Sequence, residues 1–449
     1  MTKRDGFTSN IGVTLATLGS AVGLGNIWKF PYMTGMNGGA SFLIVYVLCT
    51  FLVGLPLMVA EILIGRKVKA NAITSYKSLS PKGQPWFLIG VSGVLSAFLI
   101  LAFYSDVAGW VFAYIFKSIV LAFTGPATAD SGAVFAELVA DPVRSLLWQW
   151  FVLIFVGSII MMGVSKGIEG TVKRLMPVLF VLLIVMGVRS MSLPGASEGL
   201  TFLFSPDFSK LSFTAVLMAM GLAFFKLSVG MGIMTTYGSY YRDDQNVPVT
   251  TLRVMVADLV VSLLAGIAIF PAVFAFGMAP EAGPSLLFVT IPKVFESMPL
   301  GGVFQALFFI LTGLAATGAM LSLLEVPVAF ATETLGMSRA KGTALTVLLL
   351  AAAGAPATLS ESVLSDVTIF GLNFFSLYDY MTQNVLLPLG GVAVCVFAGW
   401  VWGAEAFRKC LTNNGVLPLE KVANSFLFLL KFVTPVLIMI IMLKGLGIF

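Results

Sequence analysis

Apolar stretches long enough to cross a lipid bilayer recur from one end of this 449-residue chain to the other. A helix needs about 20 mainly apolar residues to span roughly 30 Å of hydrocarbon. Only 10% of the residues are charged, whereas a soluble chain carries about 25%. Because lipid offers the backbone no hydrogen-bonding partner, such stretches satisfy their own N–H and C=O groups as helices. The sequence therefore predicts an all-α integral membrane protein with about 11 transmembrane spans. They lie near residues 8–33, 41–65, 86–121, 146–163, 168–189, 211–240, 251–277, 299–334, 341–357, 372–403 and 424–446.

Lysine and arginine side chains gather in the loops between alternate spans. Because basic loops stay in the cytoplasm, this pattern predicts a multi-pass protein with a cytoplasmic N-terminus and an extracellular C-terminus. The chain has no histidine and only three cysteines without paired spacing, so imidazole chemistry, a disulfide framework and a His/Cys metal site are excluded. We expect no enzymatic activity, no cofactor, no nucleic-acid partner and no obligatory protein partner. We expect membrane lipid to surround the protein.

Two glycine-interrupted segments occur in the middle of long predicted spans. The first span contains SAVGLGN at residues 20–26, and the sixth contains LSVGMG at residues 227–232. Glycine costs a helix about 1 kcal/mol relative to alanine, so both segments favour unwinding. Broken helices at corresponding positions of two halves indicate a binding site near the membrane midplane. Glycine at helix crossings also serves close packing, and that interpretation stays open for each segment alone.

The two segments divide the chain into two sets of five spans. The predicted domains are a first repeat at 1–190, an extracellular linker at 191–210, a second, inverted repeat at 211–404, and a cytoplasmic loop with a last span at 405–449.

Five motifs carry a resemblance to one family. They are GSAVGLGNIWKFPY from residue 19, PLMVAEILIGR ending at 66, KGIEGTVKRLMP ending at 177, AFFKLSVGMG ending at 232 and LLEVP ending at 327. With these motifs the chain resembles the neurotransmitter:sodium symporters, especially their bacterial amino-acid-transporting members, over essentially its whole length. The resemblance implies the leucine-transporter fold, with broken helices 1 and 6, in a bacterial cytoplasmic membrane. It also implies a secondary active transporter that works by alternating access.

The resemblance further implies a neutral, hydrophobic L-amino acid as substrate, of the leucine, tryptophan, phenylalanine, isoleucine, valine or methionine class. Its carboxylate is expected at the backbone N–H groups of Leu24 and Gly25 and at the Tyr104 hydroxyl, since an exposed helix N-terminus attracts anions. Gly23 stands where relatives that carry monoamines have an aspartate. The other residues expected around the substrate are Ala21, Ile100, Phe225, Lys226, Ser228, Met231, Ala319 and Leu323. For each of them, ordinary helix packing is the alternative.

Two gates are implied by the same resemblance. Lys29 and Asp379 match an outer charge pair in which the family usually has arginine at the position of Lys29. On the cytoplasmic side, the matching residues are Arg4, Glu333, Phe7 and Tyr240. From the sequence alone, Arg4 and Glu333 could equally be a solvated loop pair.

The positions that match the family's sodium sites are altered. The first site corresponds to Ala21, Asn26, Lys226 and Asp258, and an ammonium cannot ligate Na+. The second corresponds to the carbonyls of Gly19, Val22 and Ala315, with Gly318 and Ala319 where relatives have hydroxyls. We hypothesise that the Lys226 ammonium replaces the first sodium ion, pairs with Asp258 and faces the substrate carboxylate. A snorkelling lysine is the alternative.

Sodium coupling is therefore doubtful, and proton movement or simple exchange is expected instead. The candidate protonatable groups are the Lys226–Asp258 pair and Asp106, because carboxylates inside membranes are functional by default. For Asp106, an ion pair or hydrogen bond facing away from the pocket is the alternative. We expect no chloride dependence, because Asp258 puts a fixed negative charge beside Ser262. Two other functions stay open: a sodium symporter whose site is completed by water, and an amino-acid sensor.

Overall fold

The computed structural model describes residues 5–124, 130–278 and 286–448. Nine long helices in this part of the chain are apolar enough to cross a membrane. We number them as spans 2 to 5 and 7 to 11, in chain order. Their bounds are Ala40–Val68, Phe87–Thr124, Pro142–Met161, Val164–Met191, Val247–Ala275, Gly301–Glu333, Arg339–Glu361, Phe374–Val401 and Glu420–Gly445.

Two further spans are broken helices. Span 1 consists of Asn10–Ala21 and Gly25–Met36, which meet at an angle of 53°. Span 6 consists of Phe213–Lys226 and Ile233–Gly238, with non-helical backbone between them. These helices bring the count in the described residues to 11, so the predicted fold class is confirmed. The only β-type pairing there is an isolated bridge between Ile369 and Leu372.

Glycine permits the break in span 6. Gly230 and Gly232 adopt φ values of +77° and +72°, which side chains with a Cβ rarely adopt. Ser228 lies in the same break at φ +55°, and its hydroxyl donates to the Ser20 carbonyl at 2.9 Å. The two broken spans are therefore joined at their unwound segments.

Spans 8 and 11 show where the centre and the edge of the bundle lie. The most apolar window of span 8 is 83% buried inside the protein, whereas that of span 11 is 28% buried. Span 8 packs along span 3, the longest helix of the described residues, and also contacts the first helix of span 1. Span 11 leaves most of its apolar surface for lipid.

Short helices connect the spans. The segment 191–210, which the sequence predicts as a linker, contains the helix Ala196–Phe204 and a short turn at Phe208–Lys210. Its Gly199 lies against the backbone of Pro271, at a separation that leaves no room for a side chain, and so this helix packs tightly on span 7. The other short helices are Ala72–Leu79, Ser131–Ala140, Ile291–Glu296 and Ala404–Leu411.

Candidate functional site

A small cavity of about 40 Å³ lies between the breaks of spans 1 and 6 and the middles of spans 3 and 8. Eleven of the twelve residues predicted to surround a substrate line it, and Leu24 is the exception. The eleven are Ala21, Gly23, Gly25, Ile100, Tyr104, Phe225, Lys226, Ser228, Met231, Ala319 and Leu323. In this conformation the cavity is too small for a large hydrophobic amino acid, whose entry requires the surrounding helices to separate.

Three further lining residues were missed by the sequence analysis. They are Ser20, Ile233 and Ser322. Ser322 follows Ala319 by three residues, so helical periodicity places both on one face and could have identified it. Ile233 begins the second half of span 6, and no sequence signal indicated that it faces the cavity.

Leu24 contributes its backbone instead of its side chain. The Leu24 amide donates to the Tyr104 hydroxyl oxygen at 3.0 Å, so the hydroxyl hydrogen of Tyr104 remains a donor at the cavity wall. Beside them, a Cβ added to Gly23 would lie 3.0 Å from the Ala319 Cβ and 3.1 Å from the Tyr104 hydroxyl. A side chain at residue 23 would therefore fit only if Ala319 and Tyr104 shifted by a few tenths of an ångström.

Lys226 is fully enclosed and its ammonium is fully bonded. Its Nζ donates to the Tyr46 hydroxyl at 2.9 Å, to Asp258 Oδ2 at 3.1 Å and to the Ser262 hydroxyl. Both side chains of the Lys226–Asp258 ion pair are 0% exposed. Because a lysine ammonium has three N–H groups, none is left for a substrate carboxylate. The predicted pairing with Asp258 is present, but the ammonium is directed at spans 2 and 7.

Asn26 completes this buried network. Its Nδ2 donates to Asp258 Oδ1 at 2.7 Å and to the Ser262 hydroxyl at 3.1 Å, while its Oδ1 accepts from the Gly23 amide at 3.2 Å. The amide oxygen that could ligate a cation is therefore turned towards the break of span 1. With an ammonium beside the carboxylate, the donor set at this position does not fit a sodium ion.

The positions of the second sodium site are closed by direct contact between helices. A Cβ added to Gly318 would lie 2.6 Å from the carbonyl oxygen of Gly19, so span 8 packs on span 1 with no side chain between them. The nearby hydroxyl of Thr317 donates to the Gly313 carbonyl of its own helix at 2.8 Å. The carbonyls of Gly19, Val22 and Ala315 are thus left without a side-chain hydroxyl from Gly318 or Ala319, and these residues do not fit a sodium ion either.

On the predicted extracellular side, an amide bridges the two charges of the outer gate. The Lys29 ammonium donates to Gln383 Oε1, and Gln383 Nε2 donates to Asp379 Oδ1. The Lys29 Nζ also lies 4.4 Å from the ring centroid of Phe225, a cavity residue. The expected pair of Lys29 and Asp379 is therefore linked through Gln383, which was not predicted.

Aromatic rings close the opposite side. Phe7 is buried, and its ring meets those of Tyr237 and Tyr240 edge-on at centroid distances of 5.6 and 5.9 Å. The Tyr240 hydroxyl donates to Glu325 Oε1 at 2.6 Å. Arg339 donates to both oxygens of the same carboxylate, at 3.1 and 2.5 Å.

The Glu325–Arg339 ion pair was missed by the sequence analysis, although a carboxylate within span 8 was a signal for it. The predicted inner pair can be described at one end only, because Arg4 lies outside the described residues. Glu333 Oε2 accepts from the backbone amide of Asn71 at 2.6 Å and from its side-chain Nδ2 at 3.2 Å.

Comparison with known proteins identifies the family. The model of the sodium:neurotransmitter symporter family matches residues 4–127 and 140–448. The chain belongs to this family. A Bacillus subtilis protein described as the sodium-dependent transporter YhdH is 40% identical over 443 residues, which are 98% of each chain. A Haemophilus influenzae protein described as a sodium-dependent transporter is 34% identical over 99% of this chain and 98% of its own.

A solved structure shows the same fold. The crystal structure of MhsT in complex with L-phenylalanine superposes with a TM-score of 0.90, at 42% identity, over 99% of this chain and 100% of that one. A more distant relative is the human sodium- and chloride-dependent creatine transporter 1, which is 28% identical over 94% of this chain and 75% of its own length. The family consists of transporters, so the predictions of a multi-pass transporter and of a non-enzymatic protein are confirmed.

Proposed function

We propose that this protein is a secondary active transporter of neutral hydrophobic or aromatic L-amino acids, that it works by alternating access, and that it needs no sodium ion. The observation that carries the proposal is the fully bonded Lys226–Asp258 pair in the position of the first sodium site. The bound L-phenylalanine of MhsT supports the substrate class.

The composition of the cavity supports the same class. Its walls are mainly apolar, and Met231 adds an unbranched thioether that adapts to side chains of different shape. A substrate carboxylate would be held by the free hydrogen of the Tyr104 hydroxyl and by the Gly25 amide, and by the Leu24 amide once it exchanges the Tyr104 oxygen for the carboxylate. Gly23 supplies no acidic partner to a free amine, and its neighbours crowd the position where a side chain would begin, which favours a substrate that carries its own carboxylate.

In this proposal Lys226 acts as a permanent internal cation. A buried carboxylate needs a compensating charge, and the ammonium 3.1 Å from Asp258 Oδ2 supplies it without an ion from solution. Lys226 holds Asp258, Tyr46 and Ser262 together and supports the broken helices beside the substrate. Since no N–H of the ammonium is left over, it acts on the substrate through these neighbours and not by direct contact.

The closed state described above supports alternating access. Lys29 and Gln383 cover one end, while Phe7, Tyr240 and the Glu325–Arg339 pair cover the other. We assign the Lys29 end to the outside, from the distribution of basic loops. The cytoplasmic N-terminus, the extracellular C-terminus and the bacterial inner membrane are part of this proposal, as are the two repeats at 1–190 and 211–404.

The first experiment is equilibrium binding of labelled tryptophan and leucine to purified protein, in sodium and in choline buffer, from about pH 5.5 to about pH 8.5. Equal affinity in both buffers supports sodium independence. A strict sodium requirement would contradict it and would favour a sodium symporter with a water-completed site, the alternative that the names of the relatives favour. Binding without counterflow in liposomes would instead indicate an amino-acid sensor.

A further inference from the structure

Asp106 is a buried carboxylate without a counter-charge. It lies in span 3, two residues after Tyr104, and is 1% exposed. It forms no ion pair with any described residue, and its Oδ1 accepts no hydrogen bond from them. A bare carboxylate inside a membrane is costly, and a bound proton is the smallest way to neutralise it.

Two more unsatisfied polar atoms lie at the same interface of spans 3, 4 and 9. The hydroxyl of Thr358 lies beside the Asp106 carboxyl, within its reach as a donor, and neither this hydroxyl nor Oε1 of Gln149 has a well-formed hydrogen bond to any described residue. Gln149 Nε2 makes a long contact of 3.4 Å to the carbonyl of Ala102, one helical turn before Asp106. Because more than about 90% of buried polar groups are well bonded, the loosely matched Asp106 and Thr358 groups, with the Gln149 oxygen on a third helix, indicate an exchangeable proton or water there.

An exposed carboxylate lies on the predicted extracellular side of this site. Thr358 is followed three residues later by Glu361, which is exposed at the end of span 9 and whose charge acts on Asp106. Asn373 Nδ2 donates to Glu361 Oε1 at 3.2 Å, so this carboxylate is held near the end of span 9. An exposed acid can collect a proton from water and pass it inward.

The other elements around Asp106 bring no competing charge close to it. Span 4 contributes the neutral Gln149, and the charged groups at its outer end, Arg144, Glu137 and Asp141, are exposed and paired with one another. Span 10 contributes Tyr378, whose hydroxyl donates to the Ala353 carbonyl at 3.0 Å. Within span 8, the titratable side chains Glu325 and Glu333 lie at the opposite end.

A chain of contacts links Asp106 to the outer gate. Phe103 precedes Asp106 in span 3 and Trp110 follows it. Their ring centroids lie 5.4 and 6.3 Å from that of Phe375. The Phe375 amide donates to the Ser360 hydroxyl at 3.1 Å, two residues after Thr358. Phe375 lies in the first turn of the same helix that carries the gate residue Asp379. A change in the charge of Asp106 therefore acts where spans 9 and 10 meet span 3, directly beside the gate.

We propose that Asp106 is the proton-binding site that couples amino-acid movement to a proton gradient, and that it is loaded from Glu361 through the Thr358 hydroxyl. This inference rests on the proposed transport function. In the loading step an O–H bond forms at Asp106 Oδ1 as the Thr358 O–H bond breaks, and Thr358 takes a proton from Glu361. Glu361 is reprotonated by water on the extracellular side. One negative charge at Asp106 is thereby neutralised, and no electron is transferred.

The test compares two activities of Asp106→Asn in sodium-free proteoliposomes. Exchange of labelled phenylalanine at equal pH on both sides needs no net proton movement, and we expect it to fall less than about threefold because Asp106 does not line the cavity. Uptake driven by an inward proton gradient should fall at least about tenfold. Asp106→Glu, which keeps the carboxyl group, should retain gradient-driven uptake, and Thr358→Val should slow it without abolishing exchange.

Gradient-driven uptake by Asp106→Asn at the wild-type rate would overturn the inference while leaving the transport function intact. Glu61→Gln is the matched control, because Glu61 is the other carboxylate of the described residues with an unpartnered buried oxygen. Loss of gradient-driven uptake in Glu61→Gln, with its retention in Asp106→Asn, would place the proton site at Glu61 instead. An absence of exchange in the wild type would contradict the proposed function itself, and the inference with it. If Asp106→Asn does not fold, proton uptake from solution by wild-type protein and by Asp106→Glu on phenylalanine addition decides the question, because in symport the amino acid and the proton favour each other's binding. No pH change in either protein would overturn the inference.

Discussion

If the proposed function is correct, replacing Lys226 with serine should give the protein a sodium dependence that the wild type lacks. The substitution removes an ammonium that donates three hydrogen bonds and lies 3.1 Å from Asp258 Oδ2, in a pair whose side chains are 0% exposed. Asp258 would keep the Asn26 amide at 2.7 Å but no cation. Breaking a buried ion pair by removing one partner costs about 3–5 kcal/mol, so the variant should be markedly less stable in the absence of sodium.

A sodium ion can occupy the space that Lys226→Ser creates. The variant offers the new hydroxyl, the Asp258 carboxylate and the Ala21 carbonyl, and a rotated Asn26 side chain could add its oxygen. An ion that binds only the folded state stabilises it by about 2.7 kcal/mol at one hundred times its dissociation constant. Most of the lost stability should therefore return in sodium.

The assay is thermal unfolding in detergent, with sodium and choline compared at the same ionic strength. Since 1 kcal/mol moves the midpoint of a large domain by about 2 °C, sodium should raise the melting temperature of Lys226→Ser by about 5 °C and leave that of the wild type unchanged. Lys29→Ser is the control, because this variant also loses a partly buried lysine, but one that donates to Gln383 and not to a carboxylate. It should show no response to sodium.

Two results would refute this reasoning. A wild-type protein that sodium stabilises more than choline would mean that a sodium site survives beside Lys226. A Lys226→Ser variant that unfolds at the wild-type temperature in choline would mean that the pair with Asp258 carries no stability.

Three further changes test other parts of the structure. Gly318→Ser should destabilise the protein by about 1–3 kcal/mol, because the new Cβ would lie 2.6 Å from the Gly19 carbonyl oxygen; a thermal-unfolding midpoint equal to the wild type would show that spans 1 and 8 are not in close contact. Tyr104→Phe should weaken amino-acid binding roughly 3- to 12-fold, which corresponds to the free energy of one hydrogen bond. The substitution removes the hydroxyl that pairs with the Leu24 amide. Unchanged affinity in the binding assay would exclude Tyr104 as a carboxylate ligand. Burial raises the pKa of the Cys410 thiol above its usual range, so less thiolate is present at neutral pH. Maleimide labelling of this thiol, measured against Cys410→Ser, should therefore be slow at pH 7 and accelerate as the pH rises. Fast labelling at neutral pH would contradict the buried position.

The sequence by itself determined the class of protein and the number of spans. The reason is local: the thickness of a bilayer sets the length of each apolar run, and nothing elsewhere in the chain changes that requirement. It also located both helix breaks, because glycine lowers the cost of unwinding at its own position, as at Gly230 and Gly232. Eleven cavity residues followed from the family resemblance, which places matching residues at matching positions of a shared fold; eight of them lie within the quoted motifs, and Ile100, Tyr104 and Ala319 lie outside them.

Only the tertiary structure decided how the charged groups are satisfied. Lys226 is 180 residues from Tyr46 in the chain, and no local pattern shows that this hydroxyl takes one of its three N–H groups. The bridge of Gln383 between Lys29 and Asp379, and the close contact of Gly318 with span 1, likewise depend on helices distant in sequence. Hydrogen bonds and close packing act over a few ångströms in space, so partners far apart in sequence become visible only when the helices are placed side by side.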